Sequence, residues 1–407
     1  MVAKIAEEGR GSGERVILID ALRGFALYGI ILCHYNHWDC AYIESISHKD
    51  YGLISRITEH LNIYFINYKF YILFSFIFGY SFYLQSVSFK KYNKDIDLLF
   101  IRRAFFLFLI GALHFLFWYS DILFVYGILM LPLIYLRRLS NKYLLILGLL
   151  LTLDVPTMLL NIYHWYHTVV SHTQVSAVAG NSKMEQLYMV VTGGNIMDNI
   201  RFNISFIHTR IQFEEWDGSF FMILGFFVFG MLAARTGILL KINALKGKLK
   251  YIIVVNILVL ILLQLLTQHI DVPANENNLK IKLLGFILVF FQSIISVATS
   301  ISFVAMLFNH RLTLKLTGYL AVTGKMALTN YLFQTVAGLF LFFHFGLGLY
   351  NVTTPGQNFF LATGVFILQM IFSHVWFRYF KYGLVEWLLR AGTFWEFADL
   401  RRKPTDL

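Results

Sequence analysis

A chain of 407 residues with 58 % hydrophobic, 17 % aromatic and only 14 % charged side chains falls outside soluble composition, where about a quarter of residues are charged. Its net charge of +11 does not argue for nucleic acid, because the basic residues lie between apolar runs, the positive-inside pattern of a multi-pass membrane protein. Two cysteines, Cys33 and Cys40, exclude a disulfide framework and a CxxC redox motif.

Apolar runs of about 17–28 residues, each enough for a hydrocarbon core of about 30 Å, predict an all-α integral membrane protein of about 10 transmembrane helices. They fall near residues 16–37, 62–88, 100–118, 121–136, 143–163, 217–235, 251–269, 281–308, 318–344 and 358–380. The N-terminus has no signal-peptide cleavage pattern, so the first run is read as a retained helix. Most of the 34 Lys and Arg fall in alternate segments, which places both termini in the cytoplasm. The chain then divides into a five-helix part (16–163), a long extracytoplasmic loop (164–216), a second five-helix part (217–380) and a cytoplasmic tail (381–407).

The first run, VILIDALRGFALYGIILCHYNH, carries Asp20, Arg23 and His34. Asp20 and Arg23 are three residues apart and can pair. Arg23 and His34 are eleven apart, on one helix face and roughly 16 Å apart along the axis. Ionisable groups in a bilayer cost about 2.5–3.5 kcal/mol on insertion scales, so they are expected to face a bundle interior or a wet cavity. The competing reading makes Asp20 and Arg23 interfacial anchors. In the third run Arg103 and His114 repeat the spacing in the same direction, and Asp121 follows His114 by seven residues, in place to orient its imidazole. Trp118 and Tyr119 read as an aromatic belt, and Asp154, just before Pro156, as an intramembrane carboxylate with no evident partner.

The 164–216 segment holds His164, His167 and His172 and ends in Glu214, Glu215 and Asp217. Loops of its length are usually functional or disordered; an interfacial helix is expected near Met184–Val191, with the reach to cap a cavity. No Cys or close carboxylate completes a histidine site, so no metal is predicted. In TGKMALTNYLFQT (323–335), Thr323, Ala327, Asn330, Gln334 and the following Gly338 share one stripe. Such a stripe favours helix packing over ligand contact. The tail sequence YGLVEWLLRAGTF, with Glu386 four residues before Arg390, reads as an interfacial helix. No phosphate-cradling loop, dinucleotide fingerprint or GxSxG elbow occurs.

Together RVILIDALRGFALYGIILCH, FYILFSFIFGYSF, RRAFFLFLIGALHFLFWYSDILFVYG, SFFMILGFFVFGMLAARTGI, GKMALTNYL and YG-x-x-EWLLR resemble the YeiB-like proteins of bacteria. The C-terminal half of those proteins is called domain of unknown function 418. Leu384 stands where that family usually has Pro. YeiB-like proteins are in turn distantly similar to transmembrane acyltransferases, among them the acyltransferase-3 family and heparan-glucosaminide N-acetyltransferase. Acyltransferase-3 members carry an Arg and a catalytic His separated by ten residues in their first helix, as Arg23 and His34 are here.

The resemblance implies a multi-pass protein of the bacterial inner membrane that moves an acyl group from cytoplasmic acyl-CoA to a sugar or lipid-linked glycan on the outer side. Its candidate site residues are His34, His114 and Asp121 for catalysis, the imidazole acting as general base or as a transient acyl-histidine. Arg23, Arg102, Arg103, Asp20, Asn330 and Gln334 are the candidates for substrate and cofactor binding. The alternative is a small-molecule transporter or lipid flippase whose pathway the same polar face lines.

Overall fold

A computed structural model describes residues 11–40, 52–90, 94–171, 180–211, 219–270, 278–308, 310, 313–350 and 352–402. Sixteen α-helices follow in order: α1 Gly11–Cys40, α2 Leu53–Leu61, α3 Lys69–Phe89, α4 Ile96–Phe115, α5 Leu123–Leu136, α6 Asn141–Thr152, α7 Val155–Ser171, α8 Gly180–Gly193, α9 Ile196–Ile211, α10 Ser219–Thr236, α11 Leu249–Ile270, α12 Leu279–Phe308, α13 Leu314–Lys325, α14 Ala327–Phe342, α15 Pro355–Tyr379 and α16 Leu384–Phe394. Among the described residues there is no β-strand, only an isolated bridge between Phe380 and Arg401.

Among the described residues five helical stretches are long and apolar enough to cross a membrane: Ile17–Asn36, Leu53–Phe89, Leu249–Ile270, Leu279–Phe308 and Pro355–Tyr379. The chain is an all-helical, multi-pass membrane protein. Leu123–Leu136, Phe220–Thr236 and Ala327–Phe342 are apolar but shorter.

Two predicted spans are broken. The run at 143–163 becomes α6 and α7, bent by 47° at Asp154, which takes φ 54°. Pro156 sits in the first turn of α7, where its missing N–H leaves no bond unmade. The run at 318–344 becomes α13 and α14, separated by Met326 at φ −111°, ψ 34°. The 164–216 segment is also not a loop: α7 runs on to Ser171, and α8 and α9 follow. His172, Glu214, Glu215 and Asp217 lie outside the described residues.

α1 is the hub, packed against α3, α12, α13, α14 and α15. Helices in lipid gain little from hydrophobic exclusion of one another, so close backbone contact through small residues holds them together. A Cβ on Gly324 of α13 would stand 1.8 Å from the Asp20 carbonyl oxygen of α1, and one on Gly24 would stand 2.1 Å from that of Leu320. The same reciprocity joins α3 to α10: a Cβ on Gly79 would meet the Phe227 oxygen at 1.9 Å and one on Gly230 the Phe76 oxygen at 1.8 Å. Gly79→Ala is therefore expected to destabilise the detergent-solubilised protein by about 1–3 kcal/mol through overpacking. Gly364→Ala, where a Cβ meets nothing within 4 Å, is expected to leave the melting temperature unchanged or slightly raised. Equal behaviour of the two variants would contradict this packing.

Candidate functional site

The parallel spacings in α1 and α4 produce two polar layers. In the layer toward the Lys- and Arg-rich ends, Arg23 and Arg103 both line a cavity of about 150 Å³ with Lys325, Gln85 and Glu386. Arg23 pairs with Asp20 and donates from Nη2 to Ser81 Oγ at 2.6 Å. Arg103 and Lys325 have no hydrogen-bonded acceptor among the described residues. The lining also includes Phe74, Ile77, Leu107, Leu123, Tyr126 and Met130. A cavity lined by cations and apolar side chains together suits an anionic head group attached to an apolar chain.

The break at Met326 places Lys325 at the end of one helix and the orphan N–H groups of the next beside the same cavity. Glu386, from the first turn of α16, satisfies those donors. Its Oε1 accepts from the backbone N–H of Leu328 at 2.6 Å and of Thr329 at 3.2 Å. Its Oε2 accepts from the Thr329 hydroxyl at 2.6 Å, and that hydroxyl accepts from the Val385 N–H at 3.0 Å. Enclosure pushes the Glu386 carboxyl above its ordinary range, opposed by these donors. Glu386 is drawn to this capping rather than to Arg390 four residues on, because the uncapped N–H groups at a helix start demand acceptors. Arg390 instead stacks over Phe394 at 4.8 Å.

The second layer lies about 10 Å further along the helices, since Leu107 and His114, like Leu328 and Thr335, are seven residues apart. His114 Nδ1 lies 2.6 Å from Asp121 Oδ1 and Nε2 lies 2.9 Å from the Thr335 hydroxyl. A carboxylate on Nδ1 holds the proton there and leaves Nε2 as the acceptor. Asp121 Oδ2 in turn accepts from the Phe124 N–H at 2.7 Å, which pins it to the first turn of α5. The exposures of His114, Asp121 and Thr335 are 7 %, 1 % and 1 %. Tyr331, one turn nearer the cavity than Thr335, sets its hydroxyl 3.5 Å from Asp121 Oδ1. The His114 and His34 rings lie 5.2 and 6.1 Å from that of Tyr331. Carboxylate, imidazole and hydroxyl in line constitute the geometry of an activated oxygen nucleophile or a poised general base.

The residues that follow α4 are covered by α9, and the residues that follow α14 are tied to α8. Asn203 and Asn199 donate to the carbonyl oxygens of Leu116 and Phe117, each at 2.9 Å, and the His344 N–H donates to Val191 oxygen at 2.9 Å. Between α8 and α9 runs an open groove of about 760 Å³ lined by Glu185, Gln186, Asp198, Arg201, Phe202 and Ser205, among others. This covering corrects the aromatic-belt reading. Trp118 is 3 % exposed and packs on His34 at 5.5 Å, while Tyr119 packs on Phe202 and Phe206.

Residues 233–396 match the family model described as a protein of unknown function, DUF418. The uncharacterized protein YxaH of Bacillus subtilis (strain 168) is 28 % identical over 416 residues, covering 96 % of this chain and 97 % of that one. An uncharacterized 39.9 kDa protein in the amylase 3' region of Bacillus acidopullulyticus is 28 % identical over 97 % of this chain and 98 % of its own. The uncharacterized protein YeiB of Escherichia coli (strain K12) is 42 % identical over 79 residues, 19 % of this chain and 20 % of YeiB. The C-terminal part of the chain thus matches the DUF418 model, and the chain is similar along nearly its whole length to uncharacterized bacterial proteins such as YxaH. No solved structure matches it.

The motifs of this chain take physical meaning from the site. In GKMALTNYL, Gly324 admits the α1 backbone, Lys325 faces the cavity, Met326 breaks the helix, Thr329 meets Glu386 and Tyr331 reaches Asp121. In YG-x-x-EW, a Cβ on Gly383 would fall 2.1 Å from the pinned Glu386 Oε2. Of the predicted residues, Arg23, Arg103 and His114 with Asp121 fall into the two layers, and His34 packs at the edge of the second. Arg102 is outside them; its guanidinium stacks over Trp395 at 5.5 Å. Asn330 donates to Thr323 oxygen and Ser373 Oγ, and Gln334 to Leu27 oxygen and Gln369 Oε1. Both amides join helices and neither lines the cavity. Sequence reasoning missed Thr335, Tyr331 and Lys325 as site residues, although the 323–335 motif contains all three. Among the described residues no three His, Cys, Asp or Glu gather as a metal site.

Proposed function

We propose that the chain is a membrane-embedded acyltransferase, taking an acyl group from cytoplasmic acyl-CoA and passing it to a hydroxyl or amine of a sugar or lipid-linked acceptor. The observation that carries this reading is the Asp121–His114–Thr335 line buried in the bundle beyond a cavity lined by cations and apolar side chains. Arg23, Arg103 and Lys325 would hold the donor's phosphates, and the apolar lining would guide the thioester inward. The groove between α8 and α9 would admit the acceptor, because α9, which forms one side of it, is bonded to the residues that follow the His114 helix. The accompanying topology is ten crossings with both termini cytoplasmic in a bacterial inner membrane. It is supported by the Lys and Arg pattern and by the bacterial relatives.

In the transfer step His114 Nε2 takes a proton from the attacking hydroxyl or amine while Asp121 holds the imidazole by Nδ1. Exclusion of water strengthens the polar contacts around the developing oxyanion. Arg103→Ala and Lys325→Ala should each weaken acyl-CoA binding by roughly 10–100-fold, the worth of a charge-assisted contact. Thermal stabilisation of the purified protein by acetyl-, butyryl- and palmitoyl-CoA reads this. No stabilisation by any of them would overturn the reading. A transporter or lipid flippase is the second reading, and the breaks at Asp154 and Met326 favour it, since broken helices build transport sites. Movement of a labelled lipid in proteoliposomes without acyl turnover would decide for it.

A further inference from the structure

Helical Ser and Thr in this chain habitually turn their hydroxyls back on their own backbone. Ser81, Thr192, Thr299, Thr363 and Thr393 each donate to the carbonyl four residues earlier, at 2.6 to 2.7 Å. This is the ordinary way to satisfy a hydroxyl on a helix surrounded by apolar side chains. Thr335 departs from it. Its hydroxyl forms its hydrogen bond with His114 Nε2 at 2.9 Å, across from α14 to α4, and the Tyr331 carbonyl receives nothing from it among the described residues.

The departure has a chemical consequence, because the partner is an imidazole whose other nitrogen is held by a buried carboxylate. A proton on Nδ1 makes Nε2 a base, and a hydroxyl donating to a base is an activated nucleophile. Three elements supply the three members: α4 gives His114, the turn before α5 gives Asp121, and α14 gives Thr335. The Glu386 staple fixes the start of α14, two turns from Thr335. Tyr331 stands on the same helix one turn toward the cavity.

We propose that Thr335 is the nucleophile of this site and carries the acyl group as an ester between donor and acceptor. This rests on the transfer reading above and replaces its single displacement with two. In the first, Thr335 Oγ1 attacks the thioester carbonyl and gives its proton to His114 Nε2. The tetrahedral intermediate collapses, the C–S bond breaks, and the departing thiolate takes the proton from Nε2. In the second, an acceptor hydroxyl or amine attacks the Thr335 ester and passes its proton to Nε2. The C–Oγ1 bond then breaks, and Thr335 regains its proton from His114. Asp121 acts throughout as a positioning residue.

The test uses the full-length protein in detergent, treated with an alkyl fluorophosphonate, whose phosphorus an activated hydroxyl attacks with loss of fluoride. Peptide mass spectrometry is expected to find one phosphonyl adduct on Thr335. Thr335→Val, which removes the hydroxyl at nearly equal volume, and His114→Ala should abolish it. Thr335→Ser should keep it, and Asp121→Asn should slow it by at least tenfold. Melting temperatures of the variants separate lost reactivity from lost folding, and the Thr335→Ser result stands even where the valine variant is unstable. Absence of an adduct on Thr335 in folded wild-type protein overturns the proposal. Acetyl-CoA turnover undiminished in folded Thr335→Val overturns the covalent step while leaving transfer intact. Wild-type protein that turns over none of acetyl-, butyryl- and palmitoyl-CoA overturns both.

Discussion

His114→Ala is expected to lower acyl transfer by about 10²–10⁴-fold, the range that a positioned general base contributes. The imidazole joins the Asp121 carboxylate at 2.6 Å to the Thr335 hydroxyl at 2.9 Å, and no other described side chain bridges the two. Asp121→Asn should fall in the same range for a different reason. The amide no longer demands a proton on Nδ1, so Nε2 ceases to be the acceptor. His34→Ala should cost far less, because His34 stands at the edge of the site, against the Tyr331 and Trp118 rings. Steady-state transfer from acyl-CoA by purified protein in detergent measures all three. A His34→Ala loss larger than that of His114→Ala would reverse the assignment and return the chemistry to α1.

The second large effect is on stability. Glu386→Ala is expected to cost about 3 kcal/mol, because it orphans the Leu328 and Thr329 N–H groups and the Thr329 hydroxyl together. It also detaches α16 from the start of α14, the helix that bears Tyr331 and Thr335. Glu386→Gln keeps an acceptor for the backbone donors and should recover most of the loss. Chemical or thermal unfolding of the solubilised protein reads the difference. Equal melting temperatures for Glu386→Ala and wild type would show that the break at Met326 is held by other contacts.

Much of the candidate site was legible in the sequence as spacing. Arg23 with His34 and Arg103 with His114 sit eleven residues apart in helices that run the same way, and helix geometry alone then separates an arginine layer from a histidine layer. Asp121 was legible for a similar reason: a turn as short as that between α4 and α5 has to return close to its starting point. Thr335 was not legible, because a threonine on an apolar helix has a ready partner in its own backbone, and only the packing of α14 against α4 offers a better one. Arg102, adjacent to Arg103 in the chain, could not be separated from it without the tail residue Trp395 on which it stacks.

The sequence by itself determined the class of the protein, since that depends on local composition: apolar runs long enough for lipid, with few charges inside them. Tertiary structure alone decided where helices break and which polar groups meet. The runs at 143–163 and 318–344 are continuous by hydropathy, yet Asp154 and Met326 interrupt them. At Met326, Glu386 arrives from 58 residues away to satisfy the backbone groups that the break exposes. Hydropathy reports how much a segment gains from leaving water. A broken helix depends instead on whether a distant side chain supplies the missing acceptor, and the bundle in which α1 lies against five other helices is what brings such partners together.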